Sequence, residues 1–133
     1  MATLVDAYRR ERLSLLQYVR QATPFAGPSD RPLRDRIQQL ADAEASELDA
    51  LAEHLDRSRV PVSHVGAFPS EFTNYNFMAV RKLLPRLRQD EERGAVALDR
   101  DADRLPPGDA RERLRKLAEG KRMHLMELEK LAT

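Results

Sequence analysis

The chain has 133 residues, the size of one domain, and can bury a single core but not two independent ones. Charged residues make up 34%, with acids and bases interleaved to a net charge of +1, so no basic block or aromatic-interleaved patch points to nucleic acid. There is no cysteine, which excludes disulfides, thiolate metal sites and a cysteine nucleophile.

A first helix is expected from about Ala2 to Ala22, on an apolar stripe of Leu4, Tyr8, Leu15, Val19 and Ala22 at helical spacing. Thr23-Pro24 closes it. Gly27 to Asp30 form a turn, in which Asp30 can cap the second helix with Pro32 in its first turn. That helix runs to about Arg57 along Leu33, Ile37, Leu40, Leu48, Leu51 and Leu55. Ser58 to Phe72 contains Pro61, Gly66 and Pro69 and reads as a loop. The third helix follows from about Thr73 to Arg104, on Val80, Leu84, Leu87, Ala95, Leu98, Ala102 and Leu105. Pro85 is expected to kink it or to split off a first segment. Pro106-Pro107-Gly108 stops it, and Asp109 can cap a fourth helix that continues along Leu114, Leu117, Leu128 and Leu131.

Loop lengths set the expected topology. Short first and third connections make their flanking helices antiparallel neighbours. The middle loop has 15 residues, which stretch to roughly 50 Å at ~3.3 Å each. A helix of ~24 residues is only about 36 Å long. The loop can therefore return along the whole bundle. The expected fold is all-α, a single domain over residues 1–133, with four helices and one long crossover between the second and third.

Ionisable residues interrupt each stripe near mid-helix. In the first helix, the run 4, 8, 11, 15 puts Glu11 on the core line. In the second, 40, 44, 48 selects Glu44, with Glu47 beside it. In the third, 87, 91, 95 selects Glu91, while its neighbour Glu92 points about 100° away. In the fourth, 114, 117, 121, 124, 128, 131 places both Lys121 and His124 inward. Helices of similar length packed side by side bring these residues to one level. Crowded carboxylates must take up protons or a cation. Oxygen ligands with one imidazole suit iron or manganese better than copper or structural zinc.

These segments resemble a known family. Glu11 followed by Gln17-Tyr18 is similar to the first-helix segment of bacterioferritin, a member of the ferritin-like superfamily. Glu44-Ala-Ser-Glu47 falls where that family has its first Glu-x-x-His, Glu91 to Leu98 at its third-helix segment, and Lys121-Arg-Met-His124 at its second Glu-x-x-His. The resemblance runs from about Tyr8 to Leu131 and is weakest in the crossover. It implies a ferritin-like four-helix bundle with a carboxylate-rich centre and with Tyr18 close to the metals. Metal ligands would be Glu11, Glu44, Glu47, Glu91 and His124.

Two departures bear on the chemistry. Ferritin-like di-iron sites use four Glu and two His. Glu47 replaces one His, a mild change for a hard metal. Lys121 replaces a carboxylate that would bridge the two metals. A protonated lysine cannot ligate, but its ammonium can stand in for one metal. One Fe or Mn ion is therefore expected before none, and none before an intact pair. The implied function is metal binding in iron or oxidative-stress metabolism. The alternative is a metal-free relic, neutralised by Lys121, that acts as an interaction or scaffold module.

The remaining expectations are simpler. His54 reads as a structural residue at a helix end, and His64 as a solvated residue of the crossover. Phe68 to Met78 is the most aromatic stretch and is expected to plug one end of the bundle, or else to form a dimer contact. Arg9, Arg10 and Arg12 read as a solvated face. No apolar run reaches the ~20 residues of a membrane span, and no signal-peptide pattern follows Met1. The chain is expected to be cytoplasmic and homodimeric, with a metal ion as partner and neither nucleic acid nor membrane.

Overall fold

The computed structural model describes residues 2–22, 24–62 and 65–132; His64 and the Thr23 of the first helix stop lie outside the described residues. The fold is all-helical. Among the described residues, five α-helices, α1 (Ala2–Arg12), α2 (Leu15–Ala22), α3 (Arg31–Arg57), α4 (Val80–Asp103) and α5 (Asp109–Leu131), are joined by irregular backbone and by two 3-10 turns, Pro28–Asp30 and Ser70–Tyr75. Among the described residues, β-type pairing is limited to one isolated parallel bridge between Phe25 and Ala79. No helix among them is long and apolar enough to cross a membrane.

The expected first helix is broken in two. Ser14 N–H still reaches back to Glu11 O at 3.2 Å, in a tightened turn. Leu15 N–H then leaves the ladder and donates to Asp90 Oδ2 on α4 at 3.0 Å. Tyr18 N–H resumes on Ser14 O at 3.0 Å. A carboxylate at this position satisfies an orphan donor and suits the positive end of α2. The third expected helix also starts later than Thr73. Residues 70–75 form a 3-10 turn, and α4 begins at Val80, whose N–H donates to Phe25 O at 2.9 Å. From there α4 is continuous through Pro85, so the proline splits nothing off.

Neither expected aspartate cap forms. Asp30 Oδ1 instead accepts from Arg81 Nε at 3.0 Å and Nη2 at 2.9 Å. Asp109 is the first residue of α5 and faces Arg113 at 3.0 Å and His54 at 3.5 Å.

Helices α1 and α2 both pack on α3 and α4, and α5 packs on α3 and along α4. The Phe25–Ala79 bridge ties the turn before α3 to the start of α4, whereas the His54–Asp109 contact ties the end of α3 to the start of α5. The connection from α3 to α4 passes α1 and then α2. Val60 and Val62 lie with Tyr8, Gly66 lies beside Leu13, and Phe68 and Phe72 pack on Tyr18 with ring centroids 5.3 and 5.5 Å away.

The buried apolar residues fall into two clusters. One gathers Leu4, Tyr8, Leu48, Leu55, Leu98 and Leu114 with their neighbours. The other gathers Leu16, Ile37, Leu40, Leu84, Leu87 and Leu128 with theirs. In every helical run the gap between the clusters holds a charge: Glu11, Glu44, Glu91 and Lys121.

Candidate functional site

Four side chains meet between the two apolar clusters. Glu11, Glu44, Glu91 and Lys121 are each at most 4% exposed. Helical spacing carries each of them inward, with leucine-rich turns on both sides. Lys121 Nζ lies 2.7 Å from Glu11 Oε1, 3.0 Å from Glu91 Oε1 and 3.1 Å from Glu44 Oε1. An ammonium has three donors, and here one carboxylate from each of α1, α3 and α4 faces them. His124 Nδ1 lies 2.7 Å from the second oxygen of Glu44.

The electrostatics set Glu44 and Glu91 apart. Burial works against charge on both. At Glu44, Lys121, a hydrogen bond with Glu91 and the contact with His124 overcome burial and hold the carboxyl down at about 2. At Glu91 burial wins. Lys121 opposes it, but the Glu44 charge adds to it, and the carboxyl is pushed well above its ordinary value. Burial thus favours the neutral form of Glu91, whereas its partners favour the charged form of Glu44. Burial also disfavours the charged form of Lys121, yet Glu91, Glu11 and Glu44 together hold it well above the ordinary lysine value. The centre is a lysinium among carboxyls, two of which, Glu44 and Glu91, are shifted in opposite directions.

Two glycines make room for this arrangement. A Cβ on Gly94 would stand 3.0 Å from Lys121 Cδ and Cε and 3.2 Å from Nζ. A Cβ on Gly120 would meet the Glu47 carboxylate at 3.1 and 3.2 Å. A glycine inside a helix costs about 1 kcal/mol relative to alanine, so each needs a reason, and close approach of a neighbouring helix provides it.

Glu44, Glu91 and His124 can each offer one ligand atom within 4.8 Å of the others, enough to hold a metal ion. Glu91 Oε2 is buried without a partner. Glu11 instead turns to Lys121, and Glu47 is half-buried against Gly120; neither belongs to that group of three. Burial raises Glu47, while His124 pulls it down and Glu44 pushes it up.

No family model matches this chain, and neither a curated protein nor a solved structure does.

Tyr18, expected close to the metals, makes its contacts elsewhere. Its hydroxyl bonds Asn76, and its ring joins Phe68 and Phe72. The aromatic stretch thus lies on α2, except Phe77, which is 96% exposed. His54 pairs with Asp109 beyond one apolar cluster. The arginine cluster is not a plain solvated face. Arg10 bonds Glu11 at 3.3 Å and buried Asp101 at 2.9 Å, and Arg12 pairs with Asp49 and bonds the Tyr8 hydroxyl. Sequence reasoning missed Asp101, Ser14 and Gln17, all buried. Gln17 was named in the resemblance but given no role; its amide donates to Ala41 O at 3.0 Å.

Proposed function

We propose that this chain is a ferritin-like four-helix bundle, with α1 and α2 together forming its first helix. In this reading an internal lysine replaces one of two metals, and Glu44, Glu91 and His124 bind a single Fe or Mn ion. The passage of the α3–α4 connection along α1 and α2 supports the topology. The observation that carries the metal reading is Glu91 Oε2, buried and unpartnered in the one group among the described residues able to converge on an ion. Two carboxylates and an imidazole are a hard donor set. Two ions do not fit, because the Lys121 ammonium lies among the carboxylates that would bridge them.

A bound Fe or Mn would supply one-electron chemistry with oxygen or peroxide. The chain's own part is to orient the donors. Glu44 fixes His124 through its second oxygen, and Lys121 holds the first oxygens of Glu44 and Glu91. Glu91 must give up its proton before it ligates, so affinity rises with pH.

A second reading has its own support. The three contacts of Lys121 leave the layer close to complete without any metal, as a scaffold or interaction module would need. Exposed Met123 and Met126 on α5 would then offer the contact for a homodimer.

Metal-stripped protein titrated with Fe(II) and with Mn(II) separates the two. The metal reading expects one ion per chain by elemental analysis and a rise in melting temperature. Lys121→Glu should raise the stoichiometry towards two. Protein that stays metal-free, with a melting temperature indifferent to both ions, overturns the metal reading and leaves the lysine network.

A further inference from the structure

A cleft of about 500 Å³ opens where α1 gives way to α2 and ends on Glu11 and Lys121. Its size falls within the range of small-molecule pockets, roughly 300–1,000 Å³. One wall is a face of α4, on which Arg86, Asp90 and Arg93 recur at helical spacing. The α3–α4 connection also lines it, with Phe72 and Tyr75.

The charges in this cleft are unequally satisfied. Lys121 and Glu11 hold each other, Arg10 is held by Glu11 and Asp101, and Asp90 accepts the Leu15 N–H. Arg86 and Arg93 have no carboxylate partner among the described residues, against one free acid, Glu71. Ser14, at the break itself, has a buried hydroxyl with no partner. The cleft thus joins unpaired guanidinium groups to an aromatic wall. Guanidinium groups match carboxylates in a fork geometry, and aromatic walls favour a flat apolar body.

We propose that this cleft binds a small carboxylic acid with a ring-sized apolar body. Arg86 and Arg93 meet the carboxylate, and Phe72 and Tyr75 cover the body. The binding needs no metal, and it does not depend on the reading of Glu44, Glu91 and His124.

The test uses the full chain after treatment with a chelator, so that a carboxylate cannot bind through an ion. Phenylacetate and its near-isosteric neutral amide, phenylacetamide, are titrated separately while backbone amide shifts are followed by NMR. Phenylacetate should give saturable shifts at Ser14, Leu15, Phe72, Tyr75 and Gly94, and should bind about 10-fold more tightly than the amide, as expected for hydrogen bonds to a charged group. The double variant Arg86→Gln, Arg93→Gln changes two exposed side chains, so it should keep the wild-type melting temperature. It should bind acid and amide alike. Equal affinities in the wild type, a preference that survives the double variant, or no saturable shift at these residues overturns the proposal.

Discussion

Lys121 is held by partners from three helices, and Glu44 and Glu91 differ although both touch it. Glu44 has an ordinary value of 4.5 and about 2 in the folded chain. Its stabilising contribution is complete above about pH 4.5 and is lost as pH falls through about 2. Glu91 is raised, so its sign is reversed. Stability falls as pH rises from its ordinary value towards its folded one. Glu44→Gln should therefore cost on the order of 1.5–3 kcal/mol at pH 7, the range for a hydrogen bond to a charged group. Glu91→Gln, which imitates the protonated acid, should cost less than 1 kcal/mol on that reasoning and should flatten the decline above pH 4.5. Urea titrations of metal-free protein from pH 3 to 8 would check both; equal costs at pH 7 would contradict the opposite shifts of the two carboxyls. Gly94→Ala places a methyl against the lysine stem while its head is pinned, and should cost about 1–3 kcal/mol as overpacking. In a Lys121→Met background that cost should shrink, because a flexible thioether yields. Stripe phase was enough to find Glu11, Glu44, Glu91 and Lys121 in the sequence. It could not find Asp101, whose burial depends on Arg10 from another helix. Nor could it tell that Glu47 stops against Gly120 instead of reaching the group of three.

Helix interiors were legible for a physical reason: leucines at spacings of three and four mark the buried face, and α3 spans Arg31–Arg57 where its stripe ends. Helix ends and interruptions were less so, because they depend on partners distant in sequence. The apolar pattern runs unbroken across Leu13 and Ser14, yet Asp90 takes the Leu15 N–H and divides α1 from α2. Asp30 and Asp109 have the chemistry of caps, but Arg81, Arg113 and His54 claim their carboxylates. The end of α3 shows another such compromise. Arg59 N–H donates to Asp56 O and Val60 N–H to Leu55 O, both at 2.9 Å, which closes the helix in a Schellman motif. The motif requires a left-handed residue, and Arg59 has φ 57°. A left-handed conformation costs an ordinary residue roughly 1–2 kcal/mol, and glycine avoids most of this at some entropic cost. Arg59→Gly should therefore stabilise the chain by about 0.5–1 kcal/mol, seen as a higher denaturation midpoint with an unchanged slope. A loss of stability would mean that the Arg59 side chain contributes more than its backbone strain costs.

The core as a whole is two apolar halves with a charged layer between them, and the layer bears on why the fold has this form. Packing two clusters of leucine would be simpler without it. A buried ion pair has to recover the desolvation of every member, and replacing such a network with well-packed apolar residues is often neutral or stabilising by 1–4 kcal/mol. Removing a single member instead leaves an unpaired buried charge, at a cost of roughly 3–5 kcal/mol. These two magnitudes separate a layer kept for stability from one kept for chemistry. Lys121→Met alone should destabilise strongly, because three carboxylates then face one another without a cation. The combined change Glu11→Leu, Glu44→Leu, Glu91→Leu, Lys121→Met joins the two apolar clusters into one. It should unfold at a denaturant concentration equal to or above that of the wild type. It should also lose any response of its melting temperature to Fe(II) or Mn(II), since two of the three candidate ligands are gone. If the combined variant is instead several kcal/mol less stable, the layer is a structural element whose ion pairs outweigh their desolvation, and the scaffold reading gains at the expense of the metal one. If it is more stable, the cost carried by the natural chain has to be explained by what Lys121 and its carboxylates hold.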